Sequence, residues 1–189
     1  MKAFFKKFLF TSRAFTLIEL MVVIGLSLLF VGAASFYNRA SDKMISVYRE
    51  EALIVSKLQE AKSMAVSTYL GEETNPGCGW GLHFDAVKNK ILIFKDVPLQ
   101  GLGEFERCKS FTGALYSDND VVLESLSLKE SQLNLGQNDE LDILFVPPNP
   151  TVYFYPSSLE EAVITLSSPR VENFSLSIRV NRFGQISAD

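Results

Sequence analysis

Histidine, cysteine and tryptophan are all scarce in this chain of 189 residues: one His, two Cys and one Trp. Each shortage narrows the function. With His83 as the single imidazole, a hydrolytic triad or a multi-histidine metal site has too little to draw on. His83 lies between Leu82 and Phe84 and is expected on a wet or half-buried strand face, not as a catalytic base. Gly101 and Gly103 lack a strand-to-helix setting and a P-loop lysine, which excludes a phosphate cradle. Neither a metal-ligand set nor a cofactor motif is complete. No internal repeat or low-complexity tract occurs, and no proline precedes Pro76. Positive charge is thin after the start: Lys2, Lys6, Lys7 and Arg13 fall in the first fourteen residues, and the remaining 175 carry 14 Lys and Arg against 22 Asp and Glu, a balance of −8. Such an acidic body disfavours a surface that coats nucleic acid.

What the chain does have is one dense apolar run. Phe15 to Phe36 reads FTLIELMVVIGLSLLFVGAASF, 22 residues that would span about 33 Å as a helix, close to the hydrocarbon thickness of a bilayer. The flank before it is basic and the flank after it (Arg39, Asp42, Lys43) is mixed, which predicts a cytoplasmic N-terminus and a translocated body. Gly32-Ala33-Ala34-Ser35 can be read as a conventional signal-peptidase site. Glu19 argues against that, because an ionisable group in a membrane segment costs roughly 2.5–3.5 kcal/mol on insertion scales and is functional by default.

The run Arg13-Ala14-Phe15-Thr16-Leu17-Ile18-Glu19-Leu20 resembles the type IV prepilin processing motif, with a cut before an aromatic residue and a glutamate at the fifth mature position. The resemblance implies cleavage between Ala14 and Phe15 by a membrane-embedded prepilin peptidase, methylation of the new amine on Phe15, and assembly with other pilins or pseudopilins through the N-terminal helix. In this reading Glu19 neutralises the amine of a neighbouring subunit, since a charge in low dielectric needs a partner. The family usually has glycine before the cut, where this chain has Ala14.

Helical spacing continues to Tyr69. Met44, Tyr48, Ala52, Val55, Leu58, Ala65 and Tyr69 recur at three, four or seven residues, with Lys43, Arg49, Glu50, Lys57, Glu60 and Lys62 on other faces, as expected of an amphipathic helix resting on a domain. Gly71 and the stretch 72–77 would end it. Strands are expected at 80–84, 90–94, 121–126, 141–146, 151–155, 162–166, 174–180 and 185–187. The clearest is Phe174-Leu176-Ile178-Val180 alternating with Ser175, Ser177, Arg179 and Asn181. Turns are expected at Asn75-Pro76-Gly77 and Pro147-Pro148-Asn149-Pro150, and a long loop from Pro98 to Asp120. The fold class is therefore α+β: a leader (1–14), a transmembrane helix (15–37), its amphipathic continuation (38–70) and an antiparallel β-rich body (71–189), a pilin-like layout.

Cys78 and Cys108 both follow the apolar run, on the side expected in an oxidising compartment, and an even count there points to a disulfide. Two buried thiols in a reduced compartment are the alternative. Asp118-Asn119-Asp120 resembles a fragment of a calcium loop but lacks the later bidentate Glu, and an ordinary polar turn fits it better. Gly79-Trp80-Gly81-Leu82-His83-Phe84, Ile91 to Asp96, Ile178-Arg179-Val180-Asn181 and Gly184-Gln185-Ile186 are similar in kind and order to the body of H-type minor pseudopilins of type II secretion and related minor pilins. That resemblance implies a non-enzymatic filament subunit, anchored by one pass in the bacterial inner membrane with its body in the periplasm or outside. A tip receptor or DNA-uptake pilin, and an anchored envelope protein that never assembles, are the competing functions.

Overall fold

The computed structural model describes residues 16–70, 77–97, 115–147 and 151–189, with backbone only at 36–41 and 68–70. The expected leader, Ala14 and Phe15, the helix terminator at 71–76, Gly101, Gly103, Cys108 and the turn residues 148–150 lie outside this set. One 54-residue helix, α1 (Leu17–Leu70), is followed by β1 (Gly79–Asp85), β2 (Lys90–Asp96), β3 (Val121–Ser127), β4 (Gln132–Asn134), β5 (Glu140–Val146), β6 (Thr151–Tyr155), β7 (Glu161–Ser167), β8 (Ser175–Asn181) and β9 (Ile186–Ala188). The fold is α+β and consistent with a pilin-like architecture. It divides into an N-terminal unit ending at Ala40 and a body over Ser41–Asp189.

The body holds two antiparallel sheets, in the orders β3-β2-β1-β5-β6 and β4-β7-β8-β9. Residues of α1 share a core with both: Val47, Ile54, Leu58, Ala61 and Ala65 cluster with Leu82, Phe84, Ile91 and Ile143 of the larger sheet and with Ile164, Leu166, Ile178 and Val180 of the smaller. The buried stripe differs from the expected one. Leu58 and Ala65 are shared, but Tyr48 and Ala52 are exposed, Met44 and Val55 are half-buried, and the side chain of Tyr69 is not described. The observed spacing of 7, 4, 3 and 4 residues is a cleaner helical repeat. It ends in two small residues, Ala61 and Ala65, buried in the core shared with both sheets, whereas size and aromaticity favour the adjacent face.

The outer face of the larger sheet is covered too. Phe94, Leu115 and Leu144 form a second cluster with Tyr116, Val146 and Tyr155. Burial on both faces explains why β1 is almost continuously buried and shows no clean alternation. Gly81 makes this packing possible: a Cβ there would lie 2.6 Å from the Ile143 carbonyl oxygen and 2.8 Å from the Phe94 ring, so any side chain would push the two strands apart.

β1 and β2 form a hairpin whose turn is set by side chains. Asp85 Oδ1 accepts from Lys88 N at 2.8 Å, and Asn89 adopts φ +52°, a left-handed conformation that asparagine tolerates. Asn89 Nδ2 donates to the carbonyls of Leu128 and Ser131, and its Oδ1 accepts from Leu133 N. From the helix, Glu50 accepts from the backbone N–H groups of Lys129, Glu130 and Ser131. Helix, hairpin turn and the 128–131 loop are thereby tied to one another. The helical spacing places Glu50 off the apolar face and carries no sign of this role.

Candidate functional site

The first turn of α1 is built by Thr16 and Glu19. Glu19 Oε2 accepts from Thr16 N at 3.0 Å and from Thr16 Oγ1 at 2.9 Å, while Glu19 N donates to Thr16 Oγ1 at 3.3 Å. This is a reciprocal capping box, in which N-cap hydroxyl and N3 carboxyl satisfy backbone donors that the helix leaves unpaired. Thr-x-x-Glu is its sequence signature and stands at 16–19, so the cap was legible and the processing motif masked it. Thr16 is thus the partner of Glu19 in the cap of α1.

Beyond this cap the helix has an apolar surface without a partner in its own unit. Leu17–Ser35 is long and apolar enough to cross a membrane, with mean hydropathy 2.4 and none of it buried. Leu17 is 75% exposed and Phe30 69%; in water such a surface would be a severe liability, and lipid or other apolar helices must cover it. Ser27 and Ser35 satisfy their hydroxyls on the carbonyls one turn back, Val23 and Val31, which keeps the span free of unpaired side-chain donors. Glu19 is left as the single ionisable side chain between Leu17 and Ser35.

Residues 10–35 match the prokaryotic N-terminal methylation motif. That match supports a type IV pilin-like protein. No curated protein and no solved structure matches the chain at a significant level. The motif, with the apolar helix that contains it, points to a membrane-anchored structural protein and suggests processing by a prepilin peptidase and assembly with other pilin subunits. In sequence Phe15 directly precedes Thr16, the first residue of the capping box.

In the body, His83 departs from expectation. It is buried, 7% exposed, with its Nδ1 2.6 Å from Asp142 Oδ1, because register sets His83 opposite Asp142 across β1 and β5 on the face covered by Tyr116. The Tyr116 ring stacks on the imidazole at 4.6 Å between centroids. Asp142 Oδ2 accepts from Leu115 N at 2.8 Å and Tyr116 N at 3.1 Å. This network pins the 115–116 segment to the sheet and contains no nucleophile.

Cys78 is 3% exposed and its N–H donates to the Asp96 carbonyl at 2.9 Å; among the described residues no cysteine is a free thiol. Of the calcium-like fragment, Asp118 is exposed and Asp120 serves its own turn. Asp120 Oδ1 accepts from Val97 N, and Oδ2 accepts from Ser117 N and Oγ. The neighbouring Asp96 is pushed up to about 7, by burial first and then by the charge and hydrogen bond of Asp120. A carboxyl whose folded pKa lies above its unfolded value of about 3.9 binds more protons in the native state, so its contribution falls as pH rises from about 4 to about 7. Asp96→Asn should therefore gain stability over the parent at pH 8, on the order of 1 kcal/mol after allowing for solvent screening, and the gain should vanish near pH 4. Denaturant unfolding of both proteins at the two pH values measures it; a difference independent of pH contradicts it.

Proposed function

We propose that the chain is a minor pilin or pseudopilin, an H-type structural subunit at the initiating end or tip of a type IV pilus or a type II secretion pseudopilus. The observation that carries this reading is a methylation motif continuous with a wholly exposed apolar span whose single ionisable side chain is Glu19. Cleavage falls between Ala14 and Phe15, Phe15 is methylated, and the chain is anchored by one pass in the inner membrane with its body in the periplasm or outside. The absence of a proline in the apolar half, together with the order of the Gly79–Phe84, Ile91–Asp96 and Ile178–Ile186 segments, supports a minor rather than a major subunit. Purification of the assembled filament through a major subunit, followed by identification of its components, tests the proposal. The chain is expected in the fiber fraction at low copy. Its confinement to the membrane fraction would make it an anchored envelope protein instead.

The same reading includes a Cys78–Cys108 disulfide in the translocated body. Burial of Cys78 beside the start of β1 supports it. Closing a loop of about 30 residues contributes roughly 3–4 kcal/mol by chain entropy. Thiol labelling of the denatured, unreduced protein should find no reactive cysteine, and two labelled cysteines per chain would remove the bridge from the account.

A further inference from the structure

The outer face of β1 and β5 carries a polar block that the filament role leaves unused. Register sets His83 opposite Asp142 and Asp85 opposite Glu140, two adjacent cross-strand pairs on the face away from α1. A ring nitrogen of His83 and a carboxylate oxygen from each of Asp85 and Glu140 lie within 4.8 Å of one another. They line a cavity of about 400 Å³ whose wall includes Tyr116.

The histidine is prepared for a ligand. Asp142 Oδ2 already accepts from two backbone N–H groups, and its Oδ1 faces Nδ1 at 2.6 Å. The carboxylate can only accept there, so the hydrogen-bond pattern assigns the ring hydrogen to Nδ1. In the neutral ring the lone pair is then on Nε2, for which no hydrogen-bond partner occurs among the described residues. The His83 side chain is 9% exposed, and among the described residues no buried side-chain nitrogen or oxygen lacks a partner, so Nε2 opens to the solvent of the cavity that His83 lines. A carboxylate behind the imidazole is the usual support of a metal-binding histidine, fixing its tautomer and orientation, and Tyr116 stacked on the ring holds its plane.

We propose that His83, Asp85 and Glu140 bind a divalent transition cation of the zinc class, with Asp142 as the positioning residue behind His83. One imidazole nitrogen and two carboxylate oxygens form a borderline donor set suited to such cations, whereas calcium and magnesium prefer oxygen alone. Lys88 is the competitor: its Nζ lies 2.7 Å from Asp85 Oδ2 and its side chain is 73% exposed, so it can swing into solvent as the cation enters. The bound ion clamps β1 to β5 beside the hairpin turn, a cross-link in the body independent of the membrane helix.

The test uses the tag-free full-length chain in detergent, stripped with a chelator and titrated with Zn²⁺ alone against a metallochromic competitor. One Zn²⁺ per chain is expected. Glu140→Gln, at the exposed rim where folding is not at stake, should weaken binding by about tenfold or more, and Lys88→Met should tighten it. Co²⁺ substitution should give visible d–d bands without thiolate charge transfer, which excludes the cysteines as ligands. Failure to bind stoichiometrically, Zn²⁺ affinity unchanged in Glu140→Gln, or Ca²⁺ binding as tightly as Zn²⁺ would each overturn the site.

Discussion

Glu19→Gln should leave the chain in the membrane, cut and with its first helical turn intact, yet exclude it from filaments. The capping box accepts Gln at the third helical position as well as Glu, so the amide retains the hydrogen bonds to Thr16 that the carboxyl makes and removes only the charge. Insertion becomes easier, because the apolar span loses its single ionisable group. A neighbouring subunit's terminal amine then has no counter-charge in a low-dielectric setting, and breaking a buried pair costs about 3–5 kcal/mol. A loss of this size corresponds to a decrease of about a hundredfold or more in incorporation. Glu19→Ala removes cap and charge together and should do no worse in assembly, while fraying the start of α1. The readout is the ratio of sheared-fiber to membrane protein by quantitative immunoblot. If Glu19→Gln assembles like the parent and Glu19→Ala does not, Glu19 acts as a cap and charge pairing is wrong.

In the body the largest single loss is expected from Asp142→Ala. Asp142 is 1% exposed and serves three groups, the His83 ring and the N–H groups of Leu115 and Tyr116. An unsatisfied buried donor costs about 1–3 kcal/mol, so truncation should destabilise the body by about 3 kcal/mol or more. For a chain of this size that lowers the midpoint by roughly 6–12 °C. Asp142→Asn can still accept from both backbone donors but presents an amide to His83 in one of its orientations, and should cost less. Thermal unfolding followed through Trp80, in the presence of chelator so that no metal contributes, distinguishes the two. A change below about 1 kcal/mol for Asp142→Ala would show that the 115–116 segment is not held by this network.

The parts of the molecule that were legible in sequence are those whose signal is contiguous. The apolar run, its glutamate and the processing motif lie within about twenty residues, and the eight longer or better-bounded strands stand where turn residues and apolar runs placed them. The strand 174–180 alternates cleanly and was found as β8 (Ser175–Asn181) within one residue at each end. β4 was missed because three residues, Gln132–Asn134, hold one apolar side chain and are paired by β7, not by a pattern of their own. The helical stripe differs by one face because burial there follows contact with two sheets, which no local periodicity encodes. His83 and Asp142 are 59 residues apart in the chain, and β1 pairs with β5 although three strands lie between them in sequence. Their meeting, and that of Asp85 with Glu140, depends on sheet order and register. Neither can be read from one strand.

Intact mass analysis of the membrane-extracted protein tests the central claim most directly. The account predicts a chain that begins at Phe15 and carries one added methyl group on its N-terminal amine, with the apolar helix and Glu19 retained. A mature chain beginning after Ala34 would contradict it, because the segment matching the methylation motif would then have been discarded as an ordinary signal peptide.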